Sequence, residues 1–130
     1  MIVGIGIDII DIRRIEKTII KYGDRFIKKC FLQTEIQKSE NRRNTIQSYA
    51  KRYAAKEACA KALGTGLARG VYWKDIEVRN NNLGKPIIFL HNKATKILNQ
   101  ISSKNTRIEV SLSDEKNYAI SNVIIFNDEK

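Results

Sequence analysis

The hydrophobic positions change period several times along the 130 residues, and each change marks an element. Val3, Ile5, Ile7 and Ile9 alternate with Gly4, Gly6 and Asp8, the two-residue period of a β-strand. The pattern predicts a β-branched face that joins a core. The opposite face, two glycines and an acid, is bare enough for another group to approach the backbone closely. From Ile12 the period lengthens. Ile12, Ile15 and Ile19 make an apolar stripe, Asp11 is placed as N-cap and Gly23 as the stop, so a helix is expected over 12–22. Short helices follow through "DRFIKKCFL" and "TEIQKSEN".

The longest helix is expected over 45–63, where Ala54, Ala58 and Ala62, with Ala55 and Cys59, form a stripe of small residues. Glu57 and Lys61, four apart, are expected to stack at the border of that stripe, with Arg52 and Lys56 turned toward solvent. Gly64 and Gly66 end the helix. Strands at 75–79 and 87–91 flank the turn "NNNLGKP", and a helix is expected at 92–102. "RIEVSLS" and "YAISNVIIF" read as two strands joined by a polar turn over 114–117. The sum is an α+β domain spanning 1–130: a small, mostly antiparallel sheet packed on one long helix, with no internal repeat and no linker.

Charge narrows the partners. With 24 Lys+Arg against 14 Asp+Glu the formal net charge is +10, so the expected partner is anionic. Nucleic acid, a membrane surface, a phosphorylated metabolite and an acidic protein all stay open on this count. Arg13, Lys17 and Lys21 recur every four residues with Arg14 beside them, a basic helix face that is solvated unless a partner covers it. The longest apolar runs are a few residues, short of the roughly 20 needed to span a bilayer. The N-terminal stretch has no basic leader and reaches an acid at Asp8, so a cytoplasmic location is expected. Cys30 and Cys59 are not expected to pair, and His91 has no neighbouring metal-ligand pattern, so all three read as packing or surface residues.

Two carboxylates carry the candidate chemistry. A strand-ending Asp is most often a turn former or cap, and a Glu–Lys pair on a helix is most often a surface ion pair. Yet Glu57 borders the alanine stripe and needs a cation, either Lys61 or a metal. Asp8 from a strand end and Glu57 from a helix are the kind of pair that holds Mg²⁺ while leaving positions for phosphates and water. Spacing alone does not bring them together. "GIGID" is not a dinucleotide fingerprint, no Walker A lysine is present, and "ALGTG" serves as a helix cap at least as readily as a phosphate cradle. A basic module that binds RNA or DNA without chemistry is the rival reading, although no zinc-finger, helix-turn-helix or aromatic RNA-binding pattern supports it.

In chain order, "GIGIDIIDIRRIE", "KRYAAKEACAKALGTG", "LGKP" and "VSLSDEKNYAISNVI" resemble the holo-[acyl-carrier-protein] synthases, the small bacterial 4′-phosphopantetheinyl transferases. The resemblance covers essentially the whole chain. It implies Mg²⁺-dependent transfer of 4′-phosphopantetheine from coenzyme A to a serine of an apo acyl carrier protein, for fatty acid biosynthesis. It further implies Asp8 and Glu57 as metal ligands and Lys61 as the lysine beside the transferring phosphate. Glu57 or a water on the metal would take the serine proton. Gly64 and Pro86 would line the coenzyme A pocket. Arg13, Arg14, Lys17 and Lys21 would dock the acidic carrier protein, Arg14 foremost. The family implies a homotrimer with shared active sites, and neither nucleic acid nor membrane as partner. Many members carry histidine where this chain has Asp114, and no nucleotide contact is carried over to that residue.

Overall fold

The computed structural model describes residues 1–67, 70–102 and 105–128. In chain order the elements are β1 (Ile2–Asp11), α1 (Ile12–Tyr22), α2 (Asp24–Cys30), α3 (Gln33–Glu40), α4 (Thr45–Leu63), β2 (Ile76–Asn80), β3 (Pro86–Leu90), α5 (Asn92–Ile101), β4 (Thr106–Glu115) and β5 (Tyr118–Asn127). The α+β class and the long helix are as expected. The sheet is divided: β1-β5-β4 form one antiparallel sheet, and β2-β3 form a separate antiparallel hairpin.

Asp11 caps α1 by accepting from the Arg13 amide, and Gly23 ends it at φ 56. Gly64 caps α4 in the left-handed region at φ 85. β4 runs two residues beyond its expected end. Glu115 pairs with Tyr118, so the turn is only Lys116-Asn117, with Lys116 at φ 49. Asp114 therefore lies within a strand, ion-paired to Lys51 of α4 at 3.2 Å.

The two faces of β1 are the reverse of what alternation predicts. Ile5, Ile7 and Ile9 are each about 60% exposed, whereas the glycine face lies under α4. A Cβ built on Gly4 would run into the carbonyl of Ala62, and one on Gly6 into the carbonyl of Ala58. The reason is spacing. A helix faced with alanines and a strand faced with glycines approach until backbone meets backbone, closer than branched side chains would allow. The close approach predicted for that face is real, and the approaching backbone is that of α4.

Two buried clusters fill the space around α4. Toward its N-terminal end, Tyr49 and Ala50 pack with Ile12, Ile15, Ile27, Phe31 and Ala119. Further along, Ala55, Ala58 and Cys59 pack with Ile76, Val78, Val123 and Ile125. Cys30 and Cys59 are buried and free. No helix among the described residues is long and apolar enough to cross a membrane.

Candidate active site

The tight seat of α4 on β1 sets Glu57 against Asp8, the strand residue just past the glycines. Lys61, one turn beyond Glu57, donates from Nζ to Asp8 Oδ1 at 3.1 Å and to the Ile7 carbonyl at 3.0 Å. The expected Glu57–Lys61 pair is thus replaced by a bond from Lys61 across to the strand. Burial raises the pKa of Glu57 above its ordinary 4.5, Asp8 raises it further, and Lys61 partly offsets both. The carboxylates open into a cavity of about 230 Å³ whose walls include Arg14, Ile15, Phe26 and Tyr53. Tyr53 is held by stacking on Trp73 at 4.3 Å between ring centres.

A carboxylate whose proton affinity a second carboxylate raises, with an amine alongside, suits a divalent cation. The donors are hard oxygens, and the cation would remove the repulsion that lifts Glu57. Among the described residues no group of three or more His, Cys, Asp or Glu gathers in one place. Two protein ligands leave the remaining positions to substrate oxygens and water, the usual arrangement for Mg²⁺ on phosphates.

The four cations of α1 do not behave alike. Arg13 is spent on its own cap: Nε donates to Asp11 Oδ1 at 2.9 Å and Nη2 to Oδ2 at 2.7 Å. Arg14 reaches the site cavity, whereas Lys17 and Lys21 lie exposed on the helix surface. Gly64 stands at the far end of α4, and Pro86 opens β3 opposite Asn80.

Two residues expected at the surface are inside. Lys56 is fully buried, and Arg52 is only 3% exposed. Lys56 Nζ spends three donors on Glu35 Oε1 at 2.8 Å, the Trp73 carbonyl at 2.9 Å and the Ile76 carbonyl at 2.5 Å. Glu35 also accepts from the Leu32 and Val78 amides, so the buried pair is fully satisfied. The wheel misplaced these side chains because α4 is surrounded: the sheet takes the alanine face, and α3 and β2 cover the other.

Arg52 is satisfied only in part. Its guanidinium donates to Ser48 Oγ and Asn80 Oδ1, both at 2.7 Å, while buried Nε has no partner. No ion pair to Arg52 is found among the described residues, and burial together with Arg42 lowers its pKa. Ser48 also lines a cavity of about 200 Å³ with Arg42, Arg43 and Lys51. Asn80 in turn donates to the Gly84 carbonyl in the hairpin that carries Pro86. Sequence reading missed Arg52. Its one legible signal was position, one residue before Tyr53 and five before Glu57, on the helix that carries the site.

The chain matches the family described as the 4′-phosphopantetheinyl transferase superfamily over residues 4–123. It is 50% identical over 127 residues to the holo-[acyl-carrier-protein] synthase of Parvibaculum lavamentivorans, a match covering 96% of each chain. Among solved structures it is similar to the holo-[acyl-carrier-protein] synthase of Neisseria meningitidis, with TM-score 0.86, 32% identity, and 98% and 100% of the two chains covered. It is also similar to the Bacillus anthracis holo-(acyl-carrier-protein) synthase in complex with CoA (3′,5′-ADP). There the TM-score is 0.80 and the identity 35%, with 98% and 99% covered.

Proposed function

The chain belongs to the 4′-phosphopantetheinyl transferase superfamily, and from that membership we propose that Asp8 and Glu57 hold the divalent cation, Mg²⁺, of a holo-[acyl-carrier-protein] synthase. The enzyme transfers 4′-phosphopantetheine from coenzyme A to a serine of apo acyl carrier protein. A bond forms between the serine oxygen and the β-phosphorus, the pyrophosphate P–O bond breaks, and adenosine 3′,5′-bisphosphate leaves. The observation that carries the site assignment is the meeting of Asp8, Glu57 and Lys61 across β1 and α4. When bound, the cation polarises the phosphate under attack and offsets charge on the leaving group.

The chain's own residues do the rest. Glu57, which lines the cavity beside Asp8, is the group assigned to accept the serine proton. Lys61 holds Asp8 and, with substrate present, turns its ammonium to the transferring phosphate and the departing oxygen. Arg52 offers a cation short of a counter-charge, which an anion would satisfy. Arg42, Arg43 and Lys51, which line the cavity beside Ser48, are assigned to the phosphates of the nucleotide end, with Arg52 behind them through its bond to Ser48 and next to the hairpin bearing Pro86. Gly64 is kept as a pocket residue on the family pattern. Arg14, Lys17 and Lys21 dock the acidic carrier protein, and Arg13 contributes less because Asp11 already holds it.

The outward isoleucines of β1 support a homotrimer. A ten-residue edge strand with Ile5, Ile7 and Ile9 exposed is a surface that a second copy of the chain would cover. The reading takes residues 1–130 as one transferase domain, acting in the cytoplasm on the carrier protein of fatty acid biosynthesis. Intact-mass measurement of apo acyl carrier protein incubated with this protein, coenzyme A and Mg²⁺ tests it directly. A gain of one phosphopantetheine that disappears with EDTA is the expected result. A gain that survives chelation, or that persists in both Asp8→Ala and Glu57→Ala, would overturn the metal assignment.

A further inference from the structure

Among the described residues two buried side-chain atoms have no hydrogen-bond partner, Arg52 Nε and Ser121 Oγ. Ser121 is wholly buried on β5. It lies between Ala119, which belongs to the cluster around Tyr49 and Ala50, and Val123, which packs with Ala55 and Ala58. A small residue is needed under α4 at this point, and alanine, as at Ala119, would fill it without stranding a hydroxyl. Packing therefore accounts for the size of the residue and leaves its oxygen unexplained.

The register supplies the explanation. Ser121 is the direct cross-strand partner of Asp8. Such partners point to the same face of the sheet with Cβ atoms about 4.5–5.5 Å apart. Lys61 donates to Asp8 Oδ1, and no hydrogen bond to Oδ2 is found among the described residues. A buried unused donor and a partly exposed acceptor thus stand on neighbouring strands, on the same face of the sheet. One rotation about the serine Cα–Cβ bond changes where the hydroxyl points.

We propose that Ser121 is a positioning residue for Asp8: its buried hydroxyl, cross-strand from the carboxylate, holds Asp8 toward Glu57 once a divalent cation is bound and Lys61 has turned to the phosphate. The proposal rests on the reading of Asp8 and Glu57 as cation ligands. Ser121 would then fix the orientation of one ligand without touching the reacting atoms.

Two measurements on the full chain test it, neither of them activity. Mn²⁺ binding in the presence of coenzyme A, which supplies the phosphate, is titrated by electron paramagnetic resonance for the wild type, Ser121→Ala and Asp8→Ala, and each protein is melted without metal or coenzyme A. Ser121→Ala is expected to bind Mn²⁺ about tenfold more weakly while melting, metal-free, at the same temperature as the wild type or higher. A residue with a merely structural role would not move these two readouts in opposite senses. Equal Mn²⁺ affinity in Ser121→Ala and wild type overturns the proposal and leaves the metal reading intact. So does a metal-free Ser121→Ala that fails to fold, since the hydroxyl would then serve the fold rather than the orientation of Asp8. Absence of Mn²⁺ binding by the wild type, with Asp8→Ala indistinguishable from it, overturns the metal reading and this proposal together.

Discussion

Lys56 and Lys61 lie five residues apart on α4, flanking Glu57, and they occupy opposite kinds of surroundings. The Lys56 ammonium is sealed, with all three of its donors taken and its partner Glu35 bound by two backbone amides as well. The Lys61 side chain is about half exposed, holds Asp8 by one bond, and borders a carboxylate that carries a raised pKa. A buried charge that is fully met has nothing left to offer a ligand. A charge cluster that is incompletely met, and open on one side, is poised to bind one. The difference lies in completion rather than residue type. The first region fixes α4 against α3 and β2, and the second uses that fixed helix as one wall of a site.

Breaking the sealed region should give the largest effect. Lys56→Ala strands the Glu35 carboxylate and is expected to cost about 3–5 kcal/mol of folding stability, read from urea denaturation. A loss well under that would mean that water or another cation reaches Glu35. Next comes the open region. Glu57→Gln should lower transfer by about 10²–10³-fold while leaving the denaturation midpoint of the metal-free protein unchanged or slightly raised. A matching loss of stability would make Glu57 a structural residue like its neighbour.

The seam between helix and strand ties the two regions together. Gly6→Ala would drive a Cβ into the Ala58 carbonyl, so α4 must lift from β1. About 1–3 kcal/mol of stability should go, and Mn²⁺ affinity should fall because Asp8 and Glu57 separate. Arg14→Glu acts further out. It should weaken carrier-protein binding by about tenfold, most at low salt, and far more than it weakens coenzyme A binding. Equal loss of both affinities would contradict a docking role.

The smallest effect is in pH, where two acids should respond with opposite sign. Glu57 has a folded pKa above 4.5, so its contribution to metal-free stability is fully present below 4.5 and is lost as pH rises through the raised value. Cation affinity runs the other way and fades as pH falls through the same value. Glu77 is held down to about 2, first by Arg79, against the opposing effect of burial, and also by Thr34 and His91. Its contribution is present above 4.5 and is lost as pH falls toward 2. Denaturation of Glu57→Gln and Glu77→Gln against the wild type across pH 2–7 separates the two curves.

Local chemistry is what the sequence carried. Asp11 and Gly23 bound α1 because a cap and a stop act within a few residues, and alternation in β1 and β5 gave strands because period is local. The candidate carboxylates were visible as residue types, and the family resemblance assigned them to one site. That β1 and α4 in fact bring them together required the fold. The misreadings share a cause. Arg52 and Lys56 were given to solvent and the isoleucines of β1 to the core, because a helix wheel or a strand alternation separates faces without saying what lies against each.

By itself, then, the sequence determined the elements, their caps, the basic excess and the glycine and alanine faces able to meet, since each depends on neighbours in the chain. Only the tertiary structure decided which face of β1 is inside, which lysine beside Glu57 is sealed and which stays open, and that Ser121 lies across from Asp8. Those outcomes depend on strand register and on what covers a helix, and both are set by contacts between residues far apart in the chain.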